Sequence, residues 1–229
     1  MFGTLFTSSD VVSTSYGVAT LATLACGLLV CLGLSWVNSK WRLPVALSGV
    51  VLFASGLHYA DSAQLWLAGR HMAAAPRYIG WFVIHPMQVA SIYFLARMAG
   101  PVPIGVFWRL LVAAILMVLS RYFGDADIFN PTLGVLLSIA FWLYILGESY
   151  FGAMSGAVQK SSPSIRIGYF WIRLILTIGW AIYPILHFVD VVIGAGEAPA
   201  VIVIYTVADL INLITVSLIV LAVAGKESY

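Results

Sequence analysis

The sequence predicts an all-α membrane protein, a bundle of seven transmembrane helices. Three observations carry this. The 229 residues are 62% apolar and only 9% charged, against about 25% charge in an average soluble domain. The mean hydropathy is +1.02, and a chain so poor in charge cannot coat a soluble globule of this size. The apolar residues also fall into long uncharged windows rather than the two-residue alternation of barrel strands, and in lipid only a helix satisfies such a window's backbone internally.

A hydrocarbon core of about 30 Å needs about 20 apolar helical residues. Seven such windows follow one another, at about 16–37, 44–67, 79–98, 106–123, 132–153, 168–193 and 199–224. The breaks are short and polar or rich in Gly and Pro. The stretch from Gly156 to Arg166, with its Ser, Pro and Lys, reads as a mobile loop. No room is left for a second domain, so 1–229 reads as one transmembrane unit.

Lys40, Arg42, Arg97, Arg109, Lys160, Arg166, Arg173 and Lys226 fall at one end of this arrangement; Asp10, Asp125, Asp127, Asp190 and Glu197 fall at the other. Positive-inside counting therefore places the N-terminus outside and the C-terminus in the cytoplasm. The net charge of +2 is too small to imply nucleic acid as a partner. The first residues lack a basic region followed by an apolar run and a small-residue cleavage site, which argues against a removed signal peptide. Cys26 and Cys31 match no metal spacing and read as buried structural cysteines.

Ionisable groups at membrane depth are costly and so mark functional candidates. They are His58, Asp61, Arg77, His85, Arg121, Glu148, His187 and Asp209. Asp209, near the middle of span 7, reads either as a buried paired carboxylate or as a site residue, with Arg77 its expected partner. His58, His85 and Asp209 have no paired metal-ligand spacing, so His85 reads as a satisfied core histidine. Tyr78, Trp81, Trp142, Tyr144, Trp180, Tyr183 and Tyr205 recur at helical spacing, which packing explains as well as a ligand box does. No nucleophile and base pair, metal motif or phosphate loop points to an enzyme.

Several motifs together resemble the microbial rhodopsins, and within them the proteorhodopsins. They are Ser39-Lys-Trp-Arg-Leu-Pro leading to His58-Tyr59, Arg77-Tyr-Ile-Gly80-Trp81 followed by Pro86, and Trp142-Leu-Tyr144 with Glu148. Gly179-Trp-Ala-Ile-Tyr183-Pro184 and Tyr205-Thr-Val-Ala-Asp209-Leu-Ile-Asn212 complete the set. The resemblance implies seven helices around retinal, bound as a Schiff base to a lysine one turn after the span-7 aspartate. It makes Tyr78, Trp81, Gln88, Trp180, Tyr183, Asp209 and Leu213 the chromophore-pocket positions. Glutamine at 88 is similar to the blue-absorbing kind.

Against that pattern, the lysine position carries Leu213, and a Schiff base needs a primary amine. Lys40, Lys160 and Lys226 all lie at or beyond span ends. The proton-acceptor position is Gly80, the donor position Ser91, and the hydroxyl one turn after the acceptor has become Ile84. Neither glycine nor serine exchanges a proton at neutral pH. His58 matches the histidine that pairs with the acceptor, and Arg77 the gating arginine. Ser138 stands where antenna-carrying relatives have glycine, the position at which the resemblance would place a carotenoid site.

These departures argue against a light-driven proton pump and against covalent retinal. Two readings remain. The first is a non-pumping scaffold or signalling protein of the bacterial inner membrane, its pocket empty or filled by side chains, similar to paralogues associated with flotillin-like partners. The second is a reversible, non-covalent binder of retinal or another polyene such as a carotenoid, held by apolar burial at roughly 25 cal/mol per Å². A single engineered change at Leu213 would have left the carboxylates in place. The resemblance also implies a homo-oligomer, a pentamer or hexamer.

Overall fold

A computed structural model describes residues 10–69, 74–193 and 198–229, without the side chains of 74–77 and 189–193. Seven helices in it are long and apolar enough to cross a membrane: Val11–Gly33, Ser39–Leu67, Tyr78–Ala99, Ile104–Asp125, Pro131–Gln159, Pro163–Phe188 and Pro199–Lys226. They are spans 1 to 7 below. No strand occurs among the described residues.

Local chemistry explains where the spans begin. Asp10 caps span 1 by accepting from the Ser13 amide at 2.8 Å, so that helix starts five residues before the apolar window does. Asn130 accepts from the Thr132 and Leu133 amides at 2.9 and 3.3 Å, with Pro131 in the first helical turn. Ser162 and Pro163 repeat the device for span 6, its hydroxyl accepting from the Ile165 amide at 3.3 Å. A short polar residue then a proline supplies an acceptor to the open amides and a preset φ.

The stretch expected as a mobile loop, Gly156 to Arg166, is mostly helical. Ala153–Gln159 is a helix, and only Lys160 to Ser162 separate it from Pro163. The chain bends instead at Gly152, where Glu148 Oε1 accepts from the Ala153 amide at 3.0 Å. Met154 and Val158 then bury against the bundle, and that packing outweighs the polar composition.

Span 2 packs between spans 1 and 3, span 4 between spans 3 and 5, and span 7 returns against spans 1 and 2. Small residues set the closest approaches: a methyl group on Gly134 would lie 2.6 Å from Ser120 O and 2.9 Å from Gly124 Cα. Without a hydrophobic drive between helices in lipid, such backbone contact is a main source of association. Trp41, Tyr93 and Tyr169 are buried within, while Leu57, Ile79, Ile178 and Phe188 lie on the outer surface. Cys31 is exposed there too and Cys26 half-buried, so the expectation of buried cysteines is corrected. Residues five apart on a helix point in different directions, and position 31 falls on the outer surface.

Candidate functional site

A cavity of about 150 Å³ lies inside the bundle, reaching from spans 1, 2 and 7 across to spans 4, 5 and 6. Its walls include five of the expected pocket residues: Tyr78, Trp81, Trp180, Tyr183 and Asp209. The helical register places them there. Trp81 follows Tyr78 by three residues and Tyr183 follows Trp180 by three, so each pair shares a helix face. Just before Trp180 the helix widens into a π turn at Ile175–Gly179. There the Leu176 carbonyl accepts from Trp142 Nε1 at 2.9 Å, and such bulges recur at functional sites.

Asp209 accepts hydrogen bonds from both Tyr59 and Tyr183. Asn212 Nδ2 in turn donates to the Tyr183 hydroxyl at 3.1 Å, and the Tyr183 ring stacks on Tyr205 at 6.1 Å. The half-buried carboxylate is thus held by hydroxyls, which meets the requirement that a polar group drawn from water be bonded. Its expected partner Arg77 has a side chain outside the described residues.

Gly80 packs directly under a histidine: a methyl group there would stand 2.7 Å from His58 Nδ1. His58 lines the cavity, as does His85. The His85 ring centroid lies 5.1 Å from that of Trp180 and 5.9 Å from that of Trp81, edge-on to both, with Nδ1 3.2 Å from the Trp81 carbonyl. The expectation of a core histidine is therefore refined: it has its backbone partner, yet it forms part of the cavity wall between the two indoles.

Two expected pocket residues are not on that wall. Leu213 is buried in the apolar core at 4% exposure. Gln88 is buried at 2%, and neither amide atom has a partner among the described residues. Both lie about a turn further along their helices than the last wall residues, His85 and Asp209. Ile84 belongs to the core. The Ser91 hydroxyl is tied to Ser48 Oγ at 2.8 Å and the Pro44 carbonyl at 2.9 Å, an interhelical bond. Ser138 lines the cavity from span 5.

The polar end on spans 4 and 6 was not assembled by the sequence. Arg121 Nη1 lies 2.6 Å from Asp125 Oδ1 and 3.2 Å from His187 Nε2, and Nη2 contacts His187 Nδ1. Arg121 and His187 are among the ionisable groups expected at membrane depth and Asp125 among the acidic residues expected at one end, but 66 positions separate Arg121 from His187 and no local pattern joins them. No cluster of three or more metal-ligating side chains occurs among the described residues.

Known proteins agree with this architecture. The profile of the bacteriorhodopsin-like family matches residues 10–226. The green-light absorbing proteorhodopsin of Gamma-proteobacterium EBAC31A08 is 29% identical over 222 residues, 96% of this chain and 89% of that protein. The blue-light absorbing proteorhodopsin of Gamma-proteobacterium Hot 75m4 is 30% identical over 223 residues, 96% of this chain and 88% of that one. The crystal structure of a blue light-absorbing proteorhodopsin from Med12 superposes with a TM-score of 0.79 at 28% identity, over 95% of this chain and all of that one. A bundle of seven apolar helices enclosing an aromatic-walled cavity, matched along nearly its whole length, makes this chain a member of the bacteriorhodopsin-like family.

Proposed function

We propose that this chain is a non-pumping member of its family, a multi-pass protein of the bacterial inner membrane whose chromophore pocket its own side chains have remodelled. On this reading the light absorption named for its relatives does not carry over. It works as a scaffold or signalling protein through partners in the membrane, as a pentamer or hexamer. The distribution of Lys and Arg supports an outside N-terminus and a cytoplasmic C-terminus.

The observation that carries the reading is the state of the pocket. The residues do not fit retinal held through a Schiff base. Position 213 is a leucine, and the lysine of span 7, Lys226, ends the helix. The cavity of about 150 Å³ matches in size one that holds benzene, and His85 stands between the indoles that would flank a polyene. Gly80 and Ser91 supply no carboxylate, and the Ser91 hydroxyl is engaged in helix packing.

Adding all-trans retinal to the purified protein tests this: no visible band sensitive to hydroxylamine should form, and illuminated cells should show no light-dependent proton movement. A stable hydroxylamine-bleachable band overturns the reading. The second reading, a reversible binder of retinal or a carotenoid, is favoured by the retained aromatic wall of Trp81, Trp180 and Tyr183. A structured absorption shift that detergent extraction removes would select it.

A further inference from the structure

We infer that the remaining cavity is a binding site for a small uncharged aromatic molecule that carries one O–H or N–H donor, with His85 Nε2 as the acceptor. This rests on the reading that side chains have displaced the chromophore.

His85 is 9% exposed and stands on the cavity wall. Its Nδ1 lies 3.2 Å from the Trp81 carbonyl, one turn back on span 3. A carbonyl only accepts, so Nδ1 carries the proton of that bond, and in an uncharged imidazole Nε2 is then a bare acceptor. The rings packed against it are those of Trp81, Trp180 and Tyr183, and a charged imidazole among rings, with no anion beside it, would be costly. Nδ1 faces back along its own helix, so Nε2, on the far side of the ring, faces away from it. Nε2 has no hydrogen-bond partner among the described residues. The span-3 residues whose side chains are not described end at 77, eight positions before His85 and about 12 Å along the helix. Burial makes an unmet acceptor costly, and a donor on the ligand meets it.

The rest of the wall decides the body of the ligand. The volume of about 150 Å³ takes one six-membered ring. The indoles of Trp81, Trp142 and Trp180 line it, and their faces and edges suit a flat ring. Met117, Val118 and Ile139 add apolar wall. The charged wall residues argue against an ionic ligand, because each has partners already. Arg121 is paired with Asp125 at 2.6 Å, and Asp209 accepts from Tyr59 and Tyr183.

Phenol and toluene, alike in size and differing in the donor, test this against the full chain in lipid nanodiscs. Tryptophan fluorescence, corrected with protein-free nanodiscs for partition into lipid, gives the affinities. Nitrogen NMR of isotope-labelled histidine reports on Nε2. Phenol should bind saturably and, on the lipid-corrected scale, roughly three- to tenfold tighter than toluene, the factor expected for one neutral hydrogen bond. Phenol should also move the His85 Nε2 resonance, and toluene should not. His85→Phe keeps a ring in place without the acceptor and should make the two ligands bind equally. If that variant does not fold, the Nε2 resonance of the unchanged chain decides alone. Equal binding of the two by the unchanged chain, a phenol preference that survives in His85→Phe, or an Nε2 resonance unmoved at saturating phenol overturns the proposal. A retinal pigment would instead sink the underlying reading, so the two failures are distinguishable.

Discussion

The imidazole of His58 occupies the space that a side chain at Gly80 would need, with Nδ1 only 2.7 Å from where a methyl carbon would stand. A carboxylate placed at the expected acceptor position would therefore meet a neighbour already packed there. That neighbour is His58 on span 2. Forcing a side chain into such a site costs about 1–3 kcal/mol. Gly80→Asp should accordingly lower the melting temperature of the purified protein, and His58→Ala in the same chain should recover part of the loss. Equal melting of Gly80→Asp and the parent would contradict this packing.

Restoring an amine should not by itself restore pigment. Leu213 lies in the apolar core and not on the cavity wall, and His85 stands between Trp81 and Trp180. Leu213→Lys is expected to give little or no visible band with all-trans retinal, and Leu213→Lys with His85→Ala a larger one. Strong pigment from the single change, measured by absorption and hydroxylamine bleaching, would show that His85 yields readily.

Two glycines on span 5 should respond differently to alanine. A methyl group at Gly134 meets the backbone of span 4 at 2.6 Å, whereas at Gly147 nothing lies within 4 Å. Gly134→Ala must push two helices apart and should cost about 1–3 kcal/mol. Gly147→Ala should be neutral or stabilising by roughly 0.5–1 kcal/mol through helix propensity. Thermal unfolding of the two variants side by side decides the matter.

The proposed orientation is checked by cysteine labelling in a Cys26→Ala, Cys31→Ala background. A cysteine at Ala126 should react with an impermeant maleimide in intact cells, and one at Ser161 only after the inner membrane is opened. The reverse pattern would place the basic ends outside.

Much of the architecture was legible beforehand because lipid demands about 20 apolar residues per crossing, a signal carried by composition alone. The ends were less so. Span 1 starts early because the Asp10 carboxylate caps it, and Asp10 also accepts from Trp66 Nε1 at 2.5 Å. Gly156 to Arg166 looked like a loop by its polar residues, yet the burial of Met154 and Val158 winds its first half into helix. At one end of the bundle the first turn, the Ser162 cap and the C-terminus meet, Asn38 bonding Ser228 and Ser162 bonding Glu227.

What the sequence by itself determined is the class of fold and the succession of spans, since those follow from hydropathy and length; its resemblance named Tyr78, Trp81, Trp180, Tyr183 and Asp209, which line the cavity, but also Gln88 and Leu213, which do not. Only the tertiary structure decided what fills that interior. His58 over Gly80, His85 between the indoles, the Tyr59 and Tyr183 grip on Asp209 and the meeting of Arg121 with His187 each join different helices. Their distances depend on how the helices cross, and residues far apart in the chain carry no local record of that.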